Sequence, residues 1–159
     1  ALGLLLEGAG NDSYGGAFPR VNVTIGGAHD YTTAFFIDDA GNDVYAGSRI
    51  SIGAGNVSGL GFFADNGGDD QYALRRAYGL GGAGNRELDA PGSARRKVKN
   101  LGVFIDAGGL DTYALDGMPF MGRGDDMMWT SSQNQDPEVA ETELGAGIDG
   151  EGESTLRAR

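Results

Sequence analysis

One fourteen-residue pattern occurs four times in the chain. Its second copy reads Ala34-Phe35-Phe36-Ile37-Asp38-Asp39-Ala40-Gly41-Asn42-Asp43-Val44-Tyr45-Ala46-Gly47. The other three copies occupy residues 3–16, 61–74 and 102–115. Each copy places three apolar residues before an acid, a glycine three positions after that acid, and then an aspartate and a tyrosine at alternate positions. A pattern that returns in this way is typical of proteins built from stacked repeats.

The positions shared by all four copies form separate columns when the copies are aligned. The acids after the triplets are Glu7, Asp38, Asp65 and Asp106, the later aspartates are Asp12, Asp43, Asp70 and Asp111, and the tyrosines are Tyr14, Tyr45, Tyr72 and Tyr113. Tyr45 and Tyr72 are 27 residues apart, whereas the other two tyrosine spacings are 31 and 41 residues. Most of the residues by which the longest spacing, 41, exceeds the shortest, 27, lie in the segment 86–98. Solenoids tolerate such insertions because each coil contacts only its neighbours.

The repeat reads as strands and turns rather than as helix. Glycine is dense in it, and the short apolar and aromatic runs lie between turn signals. The triplet predicts one strand, the region of the tyrosine a second, and an apolar-Gly-small motif at residues 25–28, 52–55 and 80–83 a third. We therefore expect an all-β chain whose residues 1–115 form a right-handed parallel β-helix or β-roll of about four coils, followed by an irregular tail. An antiparallel β-sandwich with the same turns is the alternative.

Composition limits the classes of partner. The chain has 159 residues with 30 glycines, four prolines, no cysteine and a net charge of −11. Such an acidic balance argues against nucleic acid and favours cations or basic proteins as partners. No apolar run approaches the roughly 18 residues of a membrane span. Because the chain begins without a methionine, we expect it to be a processed or internal segment.

The middle residues of the four triplets are candidates for a protein interface. They are Leu5, Phe36, Phe63 and Phe104. Strand alternation would place two residues of each triplet inward and the middle one outward, so stacked coils would expose an aromatic ladder that binds another protein. The alternative is that the tail of the chain covers this strand.

Residues outside the repeat add two further candidate contacts. The 86–98 loop is basic and carries Arg95, Arg96 and Lys97. It would dock an acidic partner or lipid headgroups, or simply remain solvated and pair with nearby acids. Residues 116–135 hold all four methionines and Trp129, which suits a cap over the last coil. Residues 136–159 have the composition of an acidic, extended tail, which would lie along a partner or along the solenoid.

The turn of each copy resembles the RTX nonapeptide G-G-x-G-x-D-x-U-x, which binds Ca²⁺ in a β-roll. The likeness is carried by Gly10-Asn11-Asp12-Ser13-Tyr14 and Gly41-Asn42-Asp43-Val44-Tyr45, although an acid stands at the first glycine position of each copy. The resemblance implies that Asp12, Asp43, Asp70 and Asp111 hold calcium between successive turns.

Stacking gives an independent reason to consider a cation. Strands in register lie ~4.8 Å apart, and at an effective dielectric near 20 each like-charged neighbour at that distance costs about 3 kcal/mol before screening. Hard oxygen ligands select Ca²⁺ over transition metals. Candidate ligands are all eight repeat acids: Glu7, Asp12, Asp38, Asp43, Asp65, Asp70, Asp106 and Asp111. The alternative is that each aspartate caps its own turn through backbone N–H groups.

The sequence offers little support for catalysis. Its single histidine, His29, has no cysteine partner, and nucleophile-elbow and phosphate-loop motifs are missing. We expect a non-catalytic structural or accessory subunit that binds other protein subunits, or further copies of itself, in an extracytoplasmic assembly. A calcium-binding β-roll module of a secreted protein is the alternative. A carbohydrate-active β-helix enzyme is a third hypothesis, disfavoured because identical acids recur in every copy whereas an active site is one unique constellation.

Overall fold

A computed structural model of the chain describes residues 1–15, 23–84, 98–130 and 143–150. These residues contain strands and turns and no helix, so the predicted all-β class is confirmed. The strands are β1 (Leu2–Leu6), β2 (Ser13–Gly15), β3 (Val23–Thr24), β4 (Ala28–His29), β5 (Thr33–Asp38), β6 (Val44–Gly47), β7 (Ile50–Ser51), β8 (Gly55–Asn56), β9 (Leu60–Asp65), β10 (Gln71–Leu74), β11 (Ala83–Gly84), β12 (Asn100–Asp106), β13 (Thr112–Leu115), β14 (Met118–Pro119), β15 (Met128–Thr130) and β16 (Glu143–Asp149).

Two sheets hold the repeated strands. Sheet A has the order β1-β5-β9-β12-β16-β15, and sheet B has the order β14-β13-β10-β6-β2. Within both sheets the strands pair in parallel, with one exception at an edge of each sheet. Strand β14 pairs antiparallel with β13, and β15 pairs antiparallel with β16. The smaller sheets β4-β8-β11 and β3-β7 are parallel too. These pairings do not fit the antiparallel β-sandwich that was the alternative.

The parallel pairing aligns equivalent positions of successive copies. On sheet B, Tyr45 pairs with Tyr14 on one side and with Tyr72 on the other, and Tyr72 pairs with Tyr113. The stacked rings of Tyr45 and Tyr72 have centroids 5.2 Å apart. The predicted column of four tyrosines is therefore confirmed.

The core lies where this tyrosine column meets the triplets of sheet A. The Phe63 ring packs edge-on against Tyr45, with centroids 4.9 Å apart, and against Tyr72, with centroids 5.9 Å apart. It also stacks on Phe36 and Phe104 at 5.5 and 5.3 Å. Because each aromatic pair contributes about 0.5–1.5 kcal/mol beyond area burial, the two interlocked columns favour the in-register arrangement over a slipped one.

The middle triplet residues face this core, so the expected exposed ladder is wrong. Their exposed fractions are 43% for Leu5, 3% for Phe36, 0% for Phe63 and 0% for Phe104. Alternation holds in the opposite phase, because the middle residue packs against the tyrosine column and the flanking residues turn outward. Leu5 is more exposed because β1 is the outermost strand of sheet A. The apolar residues that face outward on sheet A include Leu4 and Phe35.

The apolar-Gly-small motif forms a left-handed turn rather than a strand centre. Ile52 has φ of 52° and Gly53 has φ of 74°. A Cβ atom on Gly53 would lie 2.0 Å from the carbonyl oxygen of Val103, so only glycine fits there. The pairs Ile25–Gly26 and Leu80–Gly81 repeat the geometry. The third strand expected in each copy is reduced to two residues, in β4, β8 and β11.

Strand β16 continues the repeat beyond the four copies seen in the sequence. Ile148 pairs with Ile105 and Asp149 with Asp106, in parallel and in register. The irregular tail expected over residues 136–159 is therefore wrong for β16, because Ala146-Gly147-Ile148-Asp149 supplies a fifth triplet and acid. The rest of that segment, apart from residue 150, lies outside the described residues.

Trp129 closes the aromatic column at this end. Gly147 occupies the position of Phe104 in the next strand, and a Cβ atom on it would lie 2.1 Å from the Trp129 ring. The Trp129 ring centroid lies 5.4 Å from that of Phe104, and its Nε1–H donates to the Leu80 carbonyl oxygen at 3.1 Å. Trp129, a candidate both for the cap and for contact with a partner, is therefore a buried part of the core at the end of the stack.

The predicted interface residues Arg95, Arg96 and Lys97 lie outside the described residues, as does the rest of the basic 86–98 loop except Val98. Across the described ranges, the structure holds no helix with the length and apolar character needed to cross a membrane.

We predict that Gly68→Ala disrupts the stacking of the copies. Gly68 has φ of 149°, and an added Cβ atom would lie 1.4 Å from the Gly41 carbonyl oxygen. Backbone cannot give way as a side chain can, so the variant should lose about 3 kcal/mol or more of unfolding free energy, measured by denaturant titration. Gly3→Ala, whose Cβ atom meets nothing within 4 Å, is the control. Equal stability of the two variants would contradict the close approach.

Candidate functional site

Each of the two acid positions in the repeat forms a column of buried carboxylates that runs across the strands. The first column stands at the ends of the sheet A strands, where Asp38, Asp65, Asp106 and Asp149 pair in register. The second column, in the turns before the sheet B strands, contains Asp43, Asp70 and Asp111. All seven side chains are buried. Stacking thus repeats a buried carboxyl group at successive levels.

Tyrosine hydroxyls from the core donate to the first column. The Tyr72 hydroxyl donates to Asp106 Oδ2 at 2.5 Å, and the Tyr113 hydroxyl donates to Asp149 Oδ2 at 2.5 Å. The Tyr45 hydroxyl lies 2.6 Å from Asp65 Oδ2 and 2.9 Å from Asp38 Oδ2. Each of these tyrosines therefore reaches the acid of the following copy, which ties sheet B to sheet A across the core.

Backbone amides donate to the second column between copies. The Asp43 N–H donates to Asp70 Oδ1 at 2.6 Å, and the Asp70 N–H donates to Asp111 Oδ1 at 2.7 Å. The Asp12 N–H donates to Asp43 Oδ1 in the same way, at 2.5 Å. These aspartates cap the turn of the preceding copy, so the expectation that each caps its own turn is wrong for them.

Own-turn capping is found instead in the first column. Asp65 Oδ1 accepts from the Gly67 N–H at 3.0 Å, and Asp106 Oδ1 accepts from the Gly108 N–H at 3.1 Å. One aspartate column thus shapes the turn within a copy, while the other joins neighbouring copies.

The two columns approach each other closely enough to form groups of three carboxylates. Asp38, Asp43 and Asp65 make one trio, and Asp70, Asp106 and Asp111 make a second; within each, one oxygen per residue lies within 4.8 Å of the others. We call these the inner trios. Three of their oxygens, Asp38 Oδ1, Asp70 Oδ2 and Asp111 Oδ2, are buried and accept no hydrogen bond from the described residues.

Burial and mutual repulsion raise the pKa values of these carboxyl groups. Desolvation is the largest cause in each case, and neighbouring aspartates add to it. The pKa rises to about 6 for Asp38, about 7 for Asp111, about 8 for Asp70 and about 9 for Asp106. The charged groups that contribute to these four shifts are acids, and no lysine or arginine is among their causes. The raised pKa values of Asp70 and Asp106 favour their protonated forms at neutral pH, whereas a bound cation would favour the carboxylates.

The remaining predicted ligands lie at the open end of the columns. Glu7 and Asp12 belong to the first copy, are less buried than their counterparts, and take part in neither inner trio. The structure thus brings six of the eight predicted acids together in two groups of three.

Sequence reasoning missed two acids that the structure places beside the predicted ones. Asp149 follows a fifth triplet whose central aromatic residue is replaced by Gly147, which hid the copy. Asp125 belongs to no repeat, yet its Oδ1 accepts the Asp111 N–H at 3.3 Å. It stands where a fifth aspartate of the second column would be, and no sequence signal marks that role.

Comparisons with protein family models, with curated proteins and with solved structures find no match for this chain. The resemblance to the RTX nonapeptide therefore rests on the residues alone.

We predict that the metal-free protein loses stability as pH rises. A carboxyl group whose pKa is higher folded than unfolded stabilises the fold below its unfolded pKa of about 4. That contribution is lost between the unfolded value of about 4 and the folded values, which run from about 6 for Asp38 to about 9 for Asp106. In a chelator, the free energy of unfolding should fall across this window. Asp106→Asn should flatten the upper part of the curve, and a steady rise of stability with pH would contradict the raised pKa values.

Proposed function

We propose that the chain is a right-handed parallel β-helix of the β-roll type, acting as a non-catalytic structural or accessory subunit that binds other proteins in an extracytoplasmic assembly. The observation that carries the proposal is the in-register pairing of β1, β5, β9, β12 and β16, each one repeat apart. Most repeat positions carry equivalent side chains at successive levels, and acids recur at the same positions, as in a scaffold rather than a single active site.

The outer face of sheet A supports a protein-binding role. Apolar side chains recur there at the outward positions of successive strands. Its exposed members are Leu2, Leu4, Leu6, Phe35, Leu60, Leu101 and Leu144. Leu60, Leu101 and Leu144 pair in register, so they form a continuous row. Large exposed apolar patches mark interaction sites in soluble proteins.

We predict that Phe35→Thr combined with Leu101→Thr abolishes partner binding without unfolding the chain. Both side chains face outward, and threonine, which already occupies position 33 of the same face, is a good strand former. The measurement is recovery of partners with the tagged chain from the cells that produce it, alongside denaturant unfolding. Leu110→Thr, at an exposed leucine outside sheet A, is the control.

Unchanged partner recovery with the double variant would remove the outer face from the proposal. Turnover of oligosaccharides by the purified chain would favour the carbohydrate-active hypothesis instead.

A second candidate function, a calcium-binding β-roll module of a secreted protein, is favoured by the inner trios. Three carboxylates with unfilled buried oxygens suit a hard divalent ion that prefers six to eight oxygen ligands.

We predict that Asp70→Asn removes stabilisation by Ca²⁺. Asparagine keeps an oxygen for the Asp43 N–H and loses the charge, so turn capping survives while the ion site does not. Wild type should gain about 3 kcal/mol at a calcium concentration 100 times the dissociation constant, and the variant should gain less. Thermal melting with calcium and with chelator measures the difference.

Asp69→Asn is the matched control, because Asp69 is exposed, belongs to no trio and accepts the Leu110 N–H through Oδ1. If wild type melts identically in calcium and in chelator, the trios hold protons and the calcium candidate fails.

A further inference from the structure

Three separate parts of the chain meet at the end of the carboxylate columns. Asp111 precedes β13, Asp125 lies between β14 and β15, and Asp149 ends β16. One carboxylate oxygen from each lies within 4.8 Å of the other two. We call this group the cap trio. Unlike the inner trios, it includes a residue from outside the repeat.

The hydrogen bonds of the cap trio leave oxygen atoms unfilled. Asp111 Oδ1 accepts the Asp70 N–H at 2.7 Å, but Asp111 Oδ2 is buried without a partner among the described residues. Asp111 as a whole is 9% exposed. A buried carboxylate oxygen with no donor is costly, and this one belongs to a group that already contains two further acids.

The donors at the other two acids are few and distant. The Asp111 N–H lies 3.3 Å from Asp125 Oδ1, and the Asp126 N–H lies 3.3 Å from Asp149 Oδ1. The one short bond is that of the Tyr113 hydroxyl to Asp149 Oδ2, at 2.5 Å. A cation within the trio would replace these long contacts as the main stabilising interaction.

The nearest arginine in sequence does not neutralise the trio. The Arg123 guanidinium lies over the rings of Trp129 and Phe120, 5.0 and 5.3 Å from their centroids. Its Nη1–H donates to the Gly122 carbonyl oxygen at 2.8 Å. Within the described part of the chain, Arg123 forms no ion pair with Asp125 or Asp149.

We propose that the cap trio binds one Ca²⁺ ion, which fastens the 123–130 segment and strand β16 to the last repeat. Calcium binds oxygen at about 2.3–2.6 Å, so carboxylate oxygens no more than 4.8 Å apart fit around a single ion. Asp125 is only partly buried, which leaves a side open to solvent through which the ion enters. Water completes the coordination there, as calcium's variable coordination number permits.

This site is distinct from the inner trios, although Asp111 belongs to one of them. Loss of calcium binding at the inner trios would remove the calcium-module candidate without deciding the cap site. Conversely, the cap site links chain segments that are 14 and 38 residues from Asp111 in sequence, so its effect is local to the C-terminal end.

We predict that Asp125→Asn removes this site and little else. The 159-residue chain is titrated with Ca²⁺ by calorimetry, and with Tb³⁺ while the luminescence is excited through tryptophan. Trp129 lies beside Tyr113, with ring centroids 6.0 Å apart, and Tyr113 bonds to Asp149, so tryptophan excitation reports on the cap trio. The variant should weaken this binding about tenfold or more and abolish the tryptophan-excited Tb³⁺ signal.

Asp116→Asn is the matched control. Asp116 is exposed in the turn between β13 and β14 with φ of 51°, a conformation that asparagine tolerates, and it belongs to no trio. It should bind as wild type does. Calcium should also protect the chain near β15 and β16 from proteolysis in wild type and in the control, but not in Asp125→Asn.

Two results would overturn the proposal. One is a tryptophan-excited Tb³⁺ signal and a calcium stoichiometry in Asp125→Asn equal to those of wild type. The other is no calcium binding by wild type, which would mean that the trio shares protons. Asp70→Asn separates the two kinds of site, because it should leave the tryptophan-excited signal in place while it alters the inner trio.

Discussion

Parallel stacking of the copies in register determines where both the aromatic and the acidic side chains lie. It places each residue directly beside its equivalent in the next copy, at the ~4.8 Å spacing of paired strands. For aromatic side chains the consequence is favourable: Tyr45 stacks on Tyr72, and Phe63 stacks on Phe104. For acids it is unfavourable, because the same geometry repeats a buried carboxylate at each level. The fold has to satisfy both columns at once.

Directional hydrogen bonds link the two kinds of column. The tyrosine that stacks within its own column also donates its hydroxyl to an acid, as Tyr72 does to Asp106. Amides of one copy meanwhile donate to aspartates of the next, as Asp43 does to Asp70. A slip of one residue would break both sets together, so the polar network specifies the register that the aromatic stacking stabilises. What remains is the burial and mutual repulsion of the carboxyl groups, which raise their pKa values.

Much of the fold could be predicted from the repeat itself. The four tyrosines and the acids after each triplet end up in columns, because equal spacing in sequence becomes equal position in the stack. The phase of the strand could not be read from three apolar residues in a row, since alternation alone does not say whether Phe36 or Phe35 faces inward. The deciding contact, with Tyr45, comes from a different strand.

The candidate site was predictable in its repeated part only. All six acids of the inner trios occupy repeat positions and could be predicted from the sequence. Their grouping in threes could not, because it depends on how the turns of sheet A and sheet B meet. Asp149 was hidden because Gly147 stands where the other copies carry phenylalanine. Asp125 had no sequence signal, because its position is set by the path of the chain through β14 and β15.

The end of the stack shows how a repeat can be terminated without a further copy. At the end of the stack, the last aromatic ring and the last acid each lack a neighbour on one side. A fifth full copy would leave the same open side one level further on. The 123–130 segment supplies a substitute for each: Trp129 fills the space above Phe104 that Gly147 leaves open, and Asp125 takes the Asp111 amide. At the same end, β14 pairs antiparallel with β13 in sheet B, and β15 pairs antiparallel with β16 in sheet A. Both edge strands are short and one contains Pro119, so they are poor templates for pairing with a further strand. The 123–130 segment thus ends the aromatic column through Trp129, the acid column through Asp125 and the edge of sheet A through β15.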